Sequence, residues 1–366
     1  MTLPWHAAPG TSGGPALAGI IANPAAGSDI RRLVALGSVS GTQDKINLVQ
    51  RLLVGLLAPV PQAQGAAAGV EGVYLMPDLY GIARMALARL PASLAGLRRR
   101  AAILDMAVDH GAGDTTRAAR RLRELGAGCI VVLGGDGTSR AAARGCGLVP
   151  LLPISMGTNN VIPYLVEGTV AGLAAGFVAR HPEAVPEVAY RHKWLEVLVE
   201  DAEPDLALVD VAVVDETAPG SRAVWEPHRL RRAILTRASP ATTGISSLAG
   251  FVRPVGAREP RGLSLRFGQA RLCRVTAPLA PGLMASVGIE AMDELSPGDE
   301  VCVAGDGQIL ALDGEREIPL RGGRRARIRL RDDGPWIVDA ELALQAASAQ
   351  GMMVEWAGDD DARDRP

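Results

Sequence analysis

Short uninterrupted apolar runs alternate with stretches of helical periodicity along the first half of the chain. Residues 17–22 form a buried-strand pattern with no polar break, and the turn-forming Asn23-Pro24-Ala25-Ala26-Gly27 follows. Ile46, Val49, Leu52, Leu53, Leu56 and Leu57 then fall on one face of a helix. Runs at 70–76 and 101–108 predict a second and a third strand, with a helix between them marked by Ile82, Met85, Ala86, Arg89 and Leu90. Asp114 is placed as the N-cap of a helix running through Arg117, Arg121 and Leu125. Continuous apolar strands return at 129–133 and 149–154. Strands without alternation, separated by helices, predict a parallel sheet covered on both faces.

The pattern changes near residue 186. Strand-like runs follow at 195–199, 206–214, 233–236, 263–267, 271–276, 300–303, 309–312 and 326–330, separated by Pro, Gly and Asp turns. This half is predicted to be β-rich, a sandwich or folded meander with little helix. A last strand at 336–338 and a terminal helix at 342–349 complete the pattern. The predicted organisation is therefore a loose leader (1–15), an α/β domain (16–186) and a β-rich domain (187–333). A strand and helix (334–357) return to the first domain, and a disordered, Asp-rich tail (358–366) ends the chain.

Composition narrows the function classes. The 366 residues carry 38 Lys+Arg against 40 Asp+Glu, a formal charge of -2 that gives no drive toward nucleic acid or an anionic membrane. The basic runs at 98–100 and 229–232 are short and read as solvated faces. The four cysteines, Cys129, Cys146, Cys273 and Cys302, form no CxxC pair, which argues against a zinc site or a disulfide framework and fits a reducing compartment. His6, His110, His181, His192 and His228 are scattered without metal-ligand spacing. No signal-peptide pattern or membrane-length apolar stretch is present, so the expectation is a cytoplasmic protein.

The chemistry concentrates in loops that follow strands. Gly134-Gly135-Asp136-Gly137-Thr138 comes directly after one strand and opens a helix. Three glycines let the backbone turn tightly and approach an anion, and the helix adds the positive end of its dipole. Thr138 is suited to capping that helix. Asp136 is the unusual member, because a carboxylate beside a phosphate is repulsive unless it serves a metal or a proton transfer. No Lys or Arg follows the last glycine, so this is not a Lys-bearing P-loop, and the GxGxxG spacing of dinucleotide oxidoreductases is missing. A second loop, Ser155-Met156-Gly157-Thr158-Asn159-Asn160, follows the next strand. Loops after consecutive parallel strands share one sheet edge, where open α/β sheets bind ligands. The segment from Asn23 to Gly27 belongs to the same edge. Arg31 and Arg32 lie close enough behind it to reach a phosphate or to be solvated.

Gly134-Gly135-Asp136-Gly137-Thr138 resembles the signature of the superfamily of NAD kinases, diacylglycerol kinases and sphingosine kinases. Asn23-Pro24-Ala25-Ala26-Gly27 resembles its first nucleotide loop, and Gly157-Thr158-Asn159-Asn160 its glycine-threonine-asparagine loop. The stretches NPAAGSDIRRL, GGDGTSRAAARGCG, ISMGTNNVIP and EGTVAGLAAGFVA resemble the acetoin catabolism X family more closely, over about residues 17–345. In the β-rich half, the run from Ser239 to Ser247 resembles the substrate loop of NAD kinases, although Ile245 interrupts its polar part. Asp313-Gly314-Glu315, by itself an ordinary hairpin turn, stands where NAD kinases carry Asp-Gly-Gln and lipid kinases Asp-Gly-Glu. Where NAD kinases carry an Asn-Glu pair for the nucleoside, this chain has Val209-Asp210, which puts NAD as the acceptor in question.

The resemblance implies a two-domain kinase with MgATP in the cleft and a small-molecule hydroxyl as acceptor, NAD or a smaller metabolite, with a link to acetoin catabolism. It implies a phosphate cradle from Gly134, Gly135, Gly137 and Thr138. Asp136 would organise nucleotide-borne Mg²⁺ or take the acceptor's proton, without a protein cage for the metal. Asn23, Pro24, Gly27, Gly157, Thr158, Asn159 and Asn160 are assigned to the nucleotide. Thr243, Gly244, Ser246 and Asp210 are assigned to the acceptor, and Asp313 and Glu315 are further acidic candidates. The superfamily pairs subunits through its β-rich domain, which implies a homodimer or larger. The rival expectation is a nucleotide-binding regulatory or accessory protein that has lost transfer. Lipid phosphorylation draws support from Asp313-Gly314-Glu315 alone.

Overall fold

In the computed structural model, residues 16–26, 41–59, 69–156, 160–215 and 227–354 are described. The predicted leader, the whole of the predicted tail, Arg31 and Arg32 lie outside them. The apolar run Leu17–Ala22 (β1) forms the middle of a parallel sheet with Gly72–Leu75 (β2), Ala101–Ile103 (β3), Ala127–Gly134 (β4) and Leu151–Ser155 (β5). Trp336–Val338 (β18) adds parallel to β5, and Ala189–Arg191 (β6) closes the edge antiparallel, giving the order β3-β2-β1-β4-β5-β18-β6.

Alternate side chains of these strands enter two different cores. Ile20, Ala22, Val131 and Leu133 pack under helices Thr42–Leu56 (α1) and Gly168–Arg180 (α5). Ile21, Ile130 and Val132 pack under Ala112–Glu124 (α3) and Asp136–Cys146 (α4). Both faces are buried, which is why the strands read as unbroken apolar runs. Ile82–Ala88 (α2) lies beside α1, and Ala340–Ala349 (α7) packs on α5.

The second half is built from antiparallel sheets. Trp194–Val199 (β7), Asp205–Ala207 (β8), Glu300–Ala304 (β14) and Arg325–Arg331 (β17) form one, in the order β14-β17-β7-β8. The other contains Asp210–Asp215 (β9), Leu230–Leu235 (β10), Gly262–Phe267 (β11), Cys273–Ala280 (β12), Leu283–Leu295 (β13), Gln308–Leu312 (β15) and Arg316–Leu320 (β16). Leu195, Val197, Ile328 and Leu330 of the first meet Val211, Val213, Leu310 and Leu312 of the second in one core. Among the described residues, no helix is long and apolar enough to cross a membrane.

Several local expectations are corrected. The strand expected over 101–108 stops at Ile103, because β2 offers its last partner at Leu75, whose carbonyl accepts from Leu104. The N-cap of α3 is Gly111; Asp114 sits in the first turn and its carboxylate accepts from the N–H groups of Asp109 and His110. Likewise Gly135, not Thr138, is the N-cap of α4. The run 206–214 is two strands in different sheets, broken where Asp313 takes three successive N–H groups out of the ladder. The β-rich half also contains a helix, Ile245–Val252 (α6), and the 13-residue β13, neither of which the periodicity indicated.

Candidate active site

At the carboxyl edge of the parallel sheet, β1 and β4 deliver their loops side by side. The Asn23 N–H donates to the Leu133 carbonyl at 3.1 Å, and Asn23 Nδ2 donates to Thr138 Oγ1 at 2.8 Å. Asn23 Oδ1 accepts from Ala25 N–H at 2.9 Å, which closes the turn on itself. Below that turn lies Lys45 of α1, only 2% exposed, with Nζ donating to the Pro24 carbonyl at 2.5 Å.

The glycines of the second loop are required by close approach. A Cβ at Gly134 would lie 2.4 Å from Thr138 Cβ, and one at Gly135 would lie 2.9 Å from Asn160 Oδ1. At Gly137 it would lie 1.9 Å from Glu315 Oε2, so the Glu315 carboxylate rests against the first turn of α4. No side chain caps that helix at Gly135. The first N–H groups of a helix lack intrahelical partners, and this end is a natural seat for an anion.

Asp136 faces the chain beyond β5. Its Oδ1 accepts from the N–H groups of Val161 and Ile162 at 3.1 and 2.9 Å, and its Oδ2 from Val161 N–H at 2.9 Å. Burial pushes its carboxyl up to about 7 against the pull of those two donors, and the charges of Asp313 and Glu315 add to the rise. The same segment is held from the other half of the molecule, since Arg237 Nη1 donates to the Val161 carbonyl at 2.7 Å. Asn160 Nδ2 donates to Ser155 Oγ at 2.6 Å.

From the β15–β16 hairpin, Asp313 accepts from the N–H groups of Leu208, Val209 and Asp210 at 2.9, 2.8 and 3.1 Å. Its φ of 48° is a left-handed conformation that Asp tolerates in a tight turn. Burial raises Asp313 to about 6, opposed by Arg140. Asp210 is raised well above the usual carboxylate range by burial and by the charges of Asp313 and Asp136. Beside this group runs an ion network between α4 and the sandwich. Asp205 receives Arg140 at 3.4 Å, Arg144 at 2.6 Å and Arg316 at 3.2 Å, and Arg140 Nε stands 3.8 Å from Asp313.

The structure thus brings together Asn23, Pro24, Gly134 to Thr138, Asn160, Asp210, Asp313 and Glu315. Gly27, Gly157, Thr158 and Asn159 lie outside the described residues. Gly244 is the N-cap of α6 (φ 84°), with Thr243 just before it, and its N–H donates to the Pro278 carbonyl. Ser246 is buried and its Oγ donates to the Arg237 carbonyl at 3.2 Å, so this hydroxyl holds the loop that carries Arg237. Lys45, Arg140 and Asp205, buried charges on helices or a strand, and Arg237, half-buried in a loop, have no sequence signature, since nothing local marks a single charge for such a place. Among the described residues, no three of His, Cys, Asp and Glu are arranged as metal ligands.

Comparison with known proteins places each half. Residues 19–181 match the ATP-NAD kinase N-terminal domain, and residues 193–333 match the acetoin catabolism protein X C-terminal domain. The yeast NADH kinase structure, complexed with NADH, superposes with a TM-score of 0.50 at 13% identity, covering 94% of this chain and 90% of that one; this likeness shows the fold. A curated relative, acetoin catabolism protein X of Cupriavidus necator, is 36% identical over 360 residues, 95% of this chain and 97% of its own length. On that identity and that coverage, the chain belongs to the acetoin catabolism protein X family, within a kinase-like superfamily that has the NAD kinase fold.

Proposed function

We propose that this protein is an ATP-dependent phosphotransferase that moves the γ-phosphoryl group of ATP onto a hydroxyl of a small-molecule acceptor. One observation carries the reading: an uncapped helix N-terminus with three glycines, tied to Asn23 through Thr138, lies opposite carboxylates delivered by the sandwich. Phosphoryl transfer asks mainly for positioning and charge neutralisation, and such a cradle supplies the first. The matched ATP-NAD kinase domain supports ATP as the donor.

In this reading Gly134, Gly135, Gly137 and Thr138 hold phosphate, and Asn23, Pro24 and Asn160 hold the nucleotide together with Gly27, Gly157, Thr158 and Asn159. Mg²⁺ would arrive with ATP and neutralise phosphate charge. Asp136 holds the 160–162 segment against the cradle. Thr243 and Gly244 lie on the acceptor side, and Ser246 supports them from within. The names of the relatives put NAD, NADH and small hydroxy-ketones first among acceptors to assay.

The test is ADP release from MgATP against those acceptors and a cell extract, with Asp136→Asn beside the wild type. Acceptor-dependent ADP that falls in the variant at sub-saturating ATP supports the kinase. A second reading, a nucleotide-binding accessory protein, is favoured by Glu315 resting on the face of the cradle. Measurable ATP binding with no ADP above the level of a protein-free control would establish that reading instead.

A further inference from the structure

The four carboxylates at the cradle are not equivalent. Both oxygens of Asp136 accept backbone N–H groups of the 160–162 segment. Asp313 accepts three N–H groups and faces Arg140. Glu315 is packed against Gly137. Asp210 differs from all three. Its N–H is held by Asp313, which fixes the start of β9, yet its carboxyl makes no hydrogen bond or ion pair among the described residues. Asp210 is half-buried as a residue, and the charges that reach its carboxyl are those of Asp313 and Asp136, both negative.

We propose that Asp210 is the general base of the transfer and that Asp136 is a positioning residue. The inference rests on the kinase reading above. The acceptor oxygen bonds to the γ-phosphorus while the bond from that phosphorus to the β,γ-bridging oxygen breaks, its electron pair leaving on ADP. The hydroxyl proton passes to the Asp210 carboxylate and from there to water. A general base needs a free lone pair within reach of the proton and an affinity near the working pH. Asp210 has the free oxygens, and burial, together with its acidic neighbours, raises its proton affinity. Asp136 could accept a proton only by giving up the donors that hold the 160–162 segment in place.

The experiment compares wild type, Asp210→Asn, Asp210→Glu and Asp136→Asn. Each is given MgATP with water as acceptor (basal hydrolysis) and with NADH or 3-hydroxybutan-2-one, and ATP binding is titrated separately. For Asp210→Asn the expected result is ATP affinity within twofold of wild type and kcat lower by about 10²- to 10⁴-fold. The acidic limb of the kcat–pH profile should be lost with it, and Asp210→Glu should recover part of the rate and that limb. Asp136→Asn should instead raise the KM for ATP and keep the limb. An Asp210→Asn enzyme within threefold of wild type, or one that keeps its acidic limb, overturns the assignment. If wild type binds ATP but releases no ADP with any acceptor or with water, the kinase reading has failed and the assignment falls with it. Because the Asp210 carboxyl holds no other group, Asp210→Asn should melt at or above the wild-type temperature, which separates lost chemistry from lost fold.

Discussion

Asn23 and Thr138 stand 115 positions apart in the chain and meet through one hydrogen bond, Asn23 Nδ2 donating to Thr138 Oγ1 at 2.8 Å. That bond fixes the distance between the turn after β1 and the first turn of α4, the two elements that must converge on a phosphate. Asn23→Ala removes this bond and the one from Ala25 N–H, each worth about 1 kcal/mol. The fold should survive with a lower melting temperature while the KM for ATP rises several-fold. Nucleotide titration beside a thermal melt checks this; an unchanged ATP affinity would remove Asn23 from the nucleotide site.

The raised carboxyls make stability depend on pH in a definite direction. Asp136 titrates near 7 in the fold against an ordinary 3.8, so the fold favours its neutral form. The stability it contributes is complete below about 4 and is lost as pH rises through 7. Buried His192 acts in the opposite sense, because burial lowers it to about 3, and its contribution is lost as pH falls below 6.5. From pH 6.5 to about 8 unfolded His192 sheds the half proton it still holds and Lys193, lowered to about 8 by burial, begins to titrate in the fold; both raise stability and oppose the carboxyls. Over that interval urea stability should fall by about 1 kcal/mol through Asp136. The fall should be smaller in Asp136→Asn, and equal slopes in the two proteins would show that Asp136 does not titrate there.

The parallel sheet and the cradle were legible in the sequence because their determinants are local. An unbroken apolar run such as 129–133 has few other fates, and Gly134, Gly135 and Gly137 at a strand-to-helix junction mark a backbone that must approach something closely. Strand β13 was not legible. Its second half, Glu290-Ala291-Met292-Asp293-Glu294-Leu295, is made of helix formers apart from Asp293, and pairing with β11 decides its conformation. The break between β8 and β9 was hidden for another reason, since its cause is the Asp313 carboxylate arriving from more than a hundred residues away. The ion network at Asp205 is equally remote from any sequence pattern, as its partners lie on α4 and β16.

The contact between α1 and α5 depends on two glycines. A Cβ at Gly172 would lie 2.5 Å from the Leu52 carbonyl oxygen and 2.9 Å from Gly55 Cα, and one at Gly55 would lie 2.2 Å from the Thr169 carbonyl oxygen. These neighbours are backbone, so neither helix can yield by turning a side chain. Gly172→Ala should cost about 1–3 kcal/mol in urea unfolding even though Ala is the better helix former. Gly96→Ala, where no atom lies within 4 Å, serves as the control and should be neutral or slightly stabilising. A Gly172→Ala protein as stable as wild type would mean that the helices separate without cost.

Arg140 is the buried link between the cradle helix and the sandwich. Its guanidinium stands 3.4 Å from Asp205 and 3.8 Å from Asp313. Replacing it with Met leaves Asp313 without its cation in a buried setting, whereas Asp205 still has Arg144 and Arg316. Loss of one partner of a buried ion pair costs about 3–5 kcal/mol, mostly through the charge left behind. Arg140→Met should therefore be destabilised by about that much at neutral pH. The deficit should shrink as the pH is lowered and Asp313, already raised to about 6, becomes neutral. Arg144 is more exposed, and Arg144→Met should cost about 1 kcal/mol or less. Urea unfolding of both variants at about pH 5 and 8 tests the argument. A deficit in Arg140→Met that does not change with pH would mean that its guanidinium acts through packing and not through the charge on Asp313.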